Sequence, residues 1–136
     1  MTEDVLQYIW KTQSFTNSRL QTVDGEELQI IKQGTLNHDS GPDFSSARVI
    51  INKVDWVGDL EVHIKTANWK LHKHQQDPAY NKVILHVVWE HDVPVIRNDG
   101  SEIPTLELKN LVSQIWLQKY ESLQASIQII PCEPYN

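Results

Sequence analysis

The sequence predicts an α/β domain with a mixed central sheet of about five strands flanked by helices. Three observations predict it. Amphipathic helical patterns stand near both ends, with apolar residues recurring every three to four positions. Between them, Val57–Lys65 alternates strictly while Lys82–Glu90 is almost continuously apolar, the patterns of a half-buried and a fully covered strand. The connection Thr66–Asn81 separating these two is long enough for a crossover.

In order, Thr2 caps a first helix reaching about Gln13, with Val5, Leu6, Ile9 and Trp10 as its apolar stripe. Phe15–Glu27 reads as a polar connection with a turn at Asp24-Gly25. Leu28–Leu36 is a strand ending near Gly34. Asn37 to Pro42 is dense in turn formers, and proline cannot donate to a sheet ladder, so the next strand begins after it. That strand is Ala47–Val54, followed by a tight connection around Asn52–Trp56 and then Val57–Lys65. The crossover is expected to be part helix, ending at the Asp77-Pro78 break. Lys82–Glu90 is the central strand, Asn98-Asp99-Gly100 a turn, and Ile103–Lys109 a short strand. A final helix runs from Leu111 to about Gln124, with Val112, Ile115, Trp116, Tyr120 and Leu123 along one side.

No repeat, low-complexity tract or Gly/Ser linker interrupts the 136 residues, which read as a single domain over 1–136. The apolar fraction of 40% and charged fraction of 22% are ordinary for a soluble globular domain. No apolar run approaches the ~18 residues of a membrane span, and the acidic amino terminus lacks signal-peptide architecture. Cys132 is the one cysteine, so no internal disulfide forms and a cytoplasmic protein is expected. A net charge of −6 argues against coating nucleic acid by bulk positive potential. Residues 65–82 nevertheless set Lys65, Lys70, Lys73 and Lys82, with His72 and His74, against Asp77 alone. That strip is either a basic contact surface or a solvated face.

Val57–Lys65 puts Leu60, Val62 and Ile64 on one face and Asp59, Glu61, His63 and Lys65 on the other. Four ionisable groups on a core-facing row would be costly, so one reading is a wet sheet face. Asp43 favours another, because it stands at the turn-to-strand junction of a neighbouring strand and can point toward Glu61. Paired carboxylates repel unless a proton or cation lies between them. With His63, Asp43 and Glu61 form a mixed oxygen and nitrogen set suited to Mn²⁺ or Zn²⁺, and to Mg²⁺ through the oxygens. Metal-assisted phosphodiester hydrolysis is then the chemistry to expect.

Pro42-Asp43, a strand and then Glu61-x-His63 resembles the PD-(D/E)xK nuclease superfamily. The order helix, three-strand meander, crossover, strand also resembles that superfamily's restriction-endonuclease-like core. The resemblance implies Asp43 and Glu61 as metal ligands. It puts His63 where the superfamily has lysine, so His63 would act as third ligand or base. Lys65, ~7 Å further along the same face, would reach back or face phosphate with Lys70 and Lys73. Glu107-Leu108-Lys109 spells the same motif, but Asp99 is too near to leave room for a strand between, so it reads as an exposed edge.

GPDF, GDLEVHIK, NWKLHKH, DPAYNKVILHVVWEHD and PTLELK, in this order, look like the bacterial domain-of-unknown-function 2851 family, common in Bacteroidetes. That resemblance spans essentially the whole chain and brings no activity with it. Members run further, which implies an amino-terminal portion of a longer protein and a carboxy-terminal domain as partner.

His72 and His74 share a side if their segment is extended, where they could clamp metal or phosphate, and diverge if it is helical. His86 in VILHVV reads as a buried, hydrogen-bonded core histidine. Trp56 and Trp69 flank the site strand and could stack on bases, although packing is the commoner use of large aromatics; Trp10, Trp89 and Trp116 should be core. The leading expectation is a divalent-metal-dependent phosphodiesterase-type domain acting on nucleic acid. The rivals are a catalytically degenerate module binding nucleic acid or protein, and a zinc hydrolase of another substrate class using His63, His72 or His74.

Overall fold

Thr2 opens the first helix, α1 (Glu3–Thr12), its side chain accepting from the Val5 N–H at 3.3 Å. The computed structural model describes residues 1–37, 41–71, 78–97 and 99–120. Glu3 and Asp4 occupy the positive end of the α1 dipole and Lys11 the negative end. Gln13 closes the helix in the left-handed region. Val5, Leu6, Ile9 and Trp10 are all buried, as the spacing predicts. The Trp10 indole N–H donates to the Gln33 carbonyl at 2.9 Å, tying the helix to the sheet margin.

The sheet contains β1 (Leu28–Lys32), β2 (Thr35–Leu36), β3 (Phe44–Ile51), β4 (Val54–Lys65), β5 (Val83–Glu90) and β6 (Thr105–Glu107). Its order is β1-β3-β4-β5-β6, with β2 pairing the start of β3. β1, β3 and β4 are antiparallel neighbours, while β4, β5 and β6 run parallel. The predicted mixed sheet is therefore present, with its meander and crossover in the expected order.

Several boundaries move for local reasons. The strand expected over Leu28–Leu36 breaks at Gly34, which takes φ +90° close against Ser45 and Phe44. β3 starts directly after Asp43 rather than at Ala47, because a bulge with Ser46 at φ 59° takes up the mismatch with β4. The β3–β4 connection is only Asn52-Lys53, both at positive φ. This is the two-residue turn whose twist suits a hairpin, so β4 begins at Val54 instead of Val57.

Leu60, Val62, Leu85 and Val87 join the α1 stripe in one core cluster. Alternation turns Glu61, His63 and Lys65 to the opposite face. There the crossover packs α2 (Asn68–Leu71) and a 3₁₀ turn, Pro78–Tyr80, so that Trp69, Tyr80, Val83, Val95 and Ile103 form a second cluster. Thr66 at the end of β4 accepts from the Asp92 and Val93 N–H groups, and its hydroxyl bonds the Asp92 carboxylate. That clamp joins the ends of β4 and β5.

Residues 114–120 are helical. Val112 and Leu117 are buried there, but Ile115 is 67% exposed, which corrects the stripe expected through it. The helix begins after Val112, so a periodicity counted from Leu111 starts one turn early. Trp116 and Tyr120 instead stack with each other and with Tyr8 of α1. Leu123 lies outside the described residues. Among those described, no helix is long and apolar enough to cross a membrane.

Gly58 is where β4 and β5 begin to converge, and an added Cβ would sit 2.5 Å from the Lys82 carbonyl oxygen and 2.6 Å from Ile84 Cγ2. Both neighbours are held by the sheet. Gly58→Ala should therefore cost about 1–3 kcal/mol by overpacking, read as a lower urea midpoint with an unchanged slope.

Candidate functional site

The sheet brings Asp43 and Glu61 together. Asp43 precedes β3, and its backbone N–H donates to Glu61 Oε1 at 3.1 Å. In return Asp43 Oδ2 accepts from the Val62 N–H at 2.8 Å. Pro42 is buried just before them, and its carbonyl accepts from the Asn37 amide at 3.1 Å, fixing the approach of the chain.

The wet-face reading of this row does not hold at its centre: Glu61 is 3% exposed and His63 2%. Burial pushes the Glu61 carboxyl above the usual carboxylate range. Hydrogen bonds from Asp43 and the neighbouring backbone pull the other way, and the negative charge of Glu3 adds to the rise. Asp43 remains half-buried and is the side of the pair nearer to solvent.

His63 stands beside the pair, with Nε2 3.8 Å from Glu61 Oε2. Its Nδ1 lies 2.7 Å from Nε2 of His86, the two rings meeting edge-on. His86 pairs with Glu61 across the β4–β5 ladder and with Thr105 across β5–β6.

Lys65 is at the open end of the same face, where its ammonium lies 3.8 Å from Glu90. Lys109 reaches the other Glu90 oxygen at 2.9 Å, and that hydrogen bond holds Glu90 below the usual carboxylate range. The structure thus directs Lys65 to Glu90, not back to Glu61. Glu107–Lys109, expected as an exposed edge, is exposed only at Lys109, which is engaged in this same ion pair; Leu108 is buried and Glu107 half-buried, accepting from the His91 N–H.

Trp69 takes the packing role that large aromatics commonly have: it is 3% exposed, packed edge-on to Tyr80 and 5.5 Å from His86. Trp56 is 46% exposed on the early part of β4. The side chain of Lys70 and the whole of His72, Lys73 and His74 lie outside the described residues.

Two residues join the site that the sequence does not assign to it. Glu3 carries the ordinary signature of a first-turn acid, and only the docking of α1 onto β4 brings its charge to bear on Glu61. His86 is the hydrogen-bonded core histidine that its apolar run predicts, but its partner is a site residue. The Glu61–His86 register is the missing information, and periodicity does not supply it.

No group of three or more His, Cys, Asp or Glu with spacing fit to hold a metal occurs among the described residues. Two carboxylates alone nevertheless fit Mg²⁺ or Mn²⁺, since Mg²⁺ commonly takes one or two carboxylates and completes its shell with water and phosphate. A zinc centre would require more nitrogen.

A family described as Protein of unknown function (DUF2851) matches residues 3–135, and the chain belongs to it. No curated protein and no solved structure matches the chain.

The Glu61 shift has a consequence for stability. A folded value above the unfolded one means the protonated form stabilises the fold at acid pH, and this contribution is lost as pH rises through the folded value. Glu61→Gln keeps the acceptor for the Asp43 N–H and does not titrate. In chelator, the variant should match wild type at acid pH and melt a few degrees higher at neutral and mildly alkaline pH. Parallel melting curves across that range would contradict the assignment.

Proposed function

We propose, for this member of the DUF2851 family, a divalent-metal-dependent phosphodiesterase-type activity on nucleic acid, centred on Asp43 and Glu61. The observation that carries the reading is the linkage of these two positions at the start of β3 and the middle of β4, where the Asp43 N–H donates to the Glu61 carboxyl and the Val62 N–H to the Asp43 carboxyl. Neither group can keep its full charge there without a proton or cation to offset the other. Mg²⁺ or Mn²⁺ would be held by Asp43 and Glu61 alone, with water and phosphate completing the shell. When bound, such an ion supplies polarisation of a phosphoryl oxygen and an acidified water.

The chain's own residues would supply orientation, a proton carrier and exclusion of water. Asp43 and Glu61 orient the site through backbone hydrogen bonds that fix their carboxyl planes. His63, beside Glu61, would accept or donate a proton at Nε2. Trp69 and Tyr80 close the inner side against water, so the substrate would enter past half-buried Asp43. The restriction-endonuclease-like arrangement belongs to this proposal, as does a nucleic-acid partner.

A specific observation favours a second reading, in which the site binds without cleaving. His63 occupies the expected lysine position, and Lys65 is turned to Glu90. The stabilising cation that phosphoryl transfer relies on would then have to come from elsewhere, and the domain would hold nucleic acid or protein.

Calorimetric titration with Mn²⁺, paired with cleavage assays on single- and double-stranded DNA and RNA, separates these readings. The enzyme reading expects cleavage that needs Mn²⁺ or Mg²⁺. Asp43→Asn or Glu61→Gln should each weaken Mn²⁺ binding at least tenfold and abolish turnover. Metal-independent gel shifts without cleavage would leave the binding module. Co-purifying zinc retained by both variants would move the chemistry to the histidines.

A further inference from the structure

We propose that the outer edge of β1 is a strand-addition site, and that its occupant is this chain's own segment Ser126–Ile130.

The site follows from which way the β1 backbone faces. The Asn52 N–H donates to the Glu27 carbonyl at 2.8 Å on the β3 side, and the Leu28 N–H donates to the Leu20 carbonyl at 2.9 Å on the other. Backbone groups alternate sides along a strand, so the N–H and C=O of Ile30 face outward with those of Leu28. Leu20 and Gln21 cover the start of that edge, Gln21 bridging to Glu27. Arg19, at φ 59°, is where the covering segment parts from β1. The gap is a cavity of about 670 Å³, walled by Asn17 and Arg19 on one side and by Gln29, Ile30 and Ile31 on the other. Among the described residues no group bonds the outward N–H or C=O of Ile30. Ile30 is only partly buried and Ile31 is 47% exposed. An unpaired edge carrying apolar side chains is a template for one more strand.

The position and sequence of the chain beyond Tyr120 select the occupant. Trp116 and Tyr120 pack against the same hydrophobic cluster as Ile30, so the terminal helix ends over the apolar layer that β1 borders. From there Ser126 is six residues on, a span of up to about 20 Å when extended. Ser126-Ile127-Gln128-Ile129 alternates polar and β-branched apolar residues, the pattern of a half-covered strand. Ile127 and Ile129 would share one face and extend the core past Ile30, leaving Ser126 and Gln128 outward. Ser126–Ile130 carries no charge to desolvate, and Pro131, which cannot donate to a ladder, would end the added strand. The family match continues through residue 135, so the segment belongs to the same unit as β1.

Amide hydrogen exchange of the full 136-residue chain reads this edge directly, because the Ile30 N–H gains a partner only when the site is filled. In wild type the Ile30 amide should exchange within a few-fold of the Leu28 amide, which the Leu20 carbonyl already holds. Ile127→Asp combined with Ile129→Asp should speed Ile30 about tenfold or more and leave Leu28 within a few-fold of wild type. An Ile30 amide exchanging in wild type at the rate of an unstructured chain would overturn the proposal without any variant. So would wild-type protection that survives the double substitution, since another group would then hold the edge. Protection lost on dilution, together with a dimer in sedimentation at high concentration, would assign the edge to a second copy and overturn the proposal as well.

Discussion

Glu61 is an acid in the middle of a strand, 3% exposed and facing the crossover layer. An ionised carboxylate taken from water without compensation costs several kcal/mol, and much of the surrounding structure can be understood as its compensation. The Asp43 N–H reaches Glu61 Oε1, and Asp43 in turn is held by the Val62 N–H. These bonds require Asp43 to arrive opposite the centre of β4. The bulge at Ser45–Ser46 and the two-residue turn at Asn52-Lys53 jointly set that register. Slipping β3 by one residue would send Phe44 and Val49 to the wrong face and leave Glu61 buried with its acceptor unmet.

The sheet separates two kinds of interior. Toward α1 it is a conventional apolar core of Leu60, Val62, Leu85 and Val87. Toward the crossover it is graded along the strands. Glu61, His63 and His86 are buried at the inner end, whereas Lys65, Glu90 and Lys109 form exposed ion pairs at the outer end. Exposed pairs of that kind contribute little to stability. Their effect is on where charge is directed: both lysines pair with Glu90.

The helix and sheet were legible because periodicity encodes which side of an element is apolar. Val5, Leu6, Ile9 and Trp10 could hardly form anything but one helical face, and VILHVV could hardly be an edge. Boundaries were less legible wherever backbone conformation, not burial, set them. Ser46, Asn52 and Lys53 all take positive φ, and neither serine nor lysine announces that in a sequence. The proximity of Asp43 and Glu61 could be anticipated from strand-separated spacing. The His63–His86 contact could not, because it depends on which residue of a parallel neighbour falls alongside Glu61. Glu3 was hidden for a similar reason, since it acts through the packing of a helix against a strand distant in sequence.

An acid pair with one buried member is also a poor choice if the fold alone is considered. Well-packed apolar residues of similar volume often replace buried ionic groups with neutral or improved stability. The chain has ample means to do so, as the opposite face of the same strands demonstrates. Under the proposed function, protonation is the fold's own way to relieve repulsion between Asp43 and Glu61, and a divalent ion would be the external one. These two states compete for the same carboxyl groups. Cation affinity should therefore weaken as Glu61 is protonated, and cation binding should release a proton.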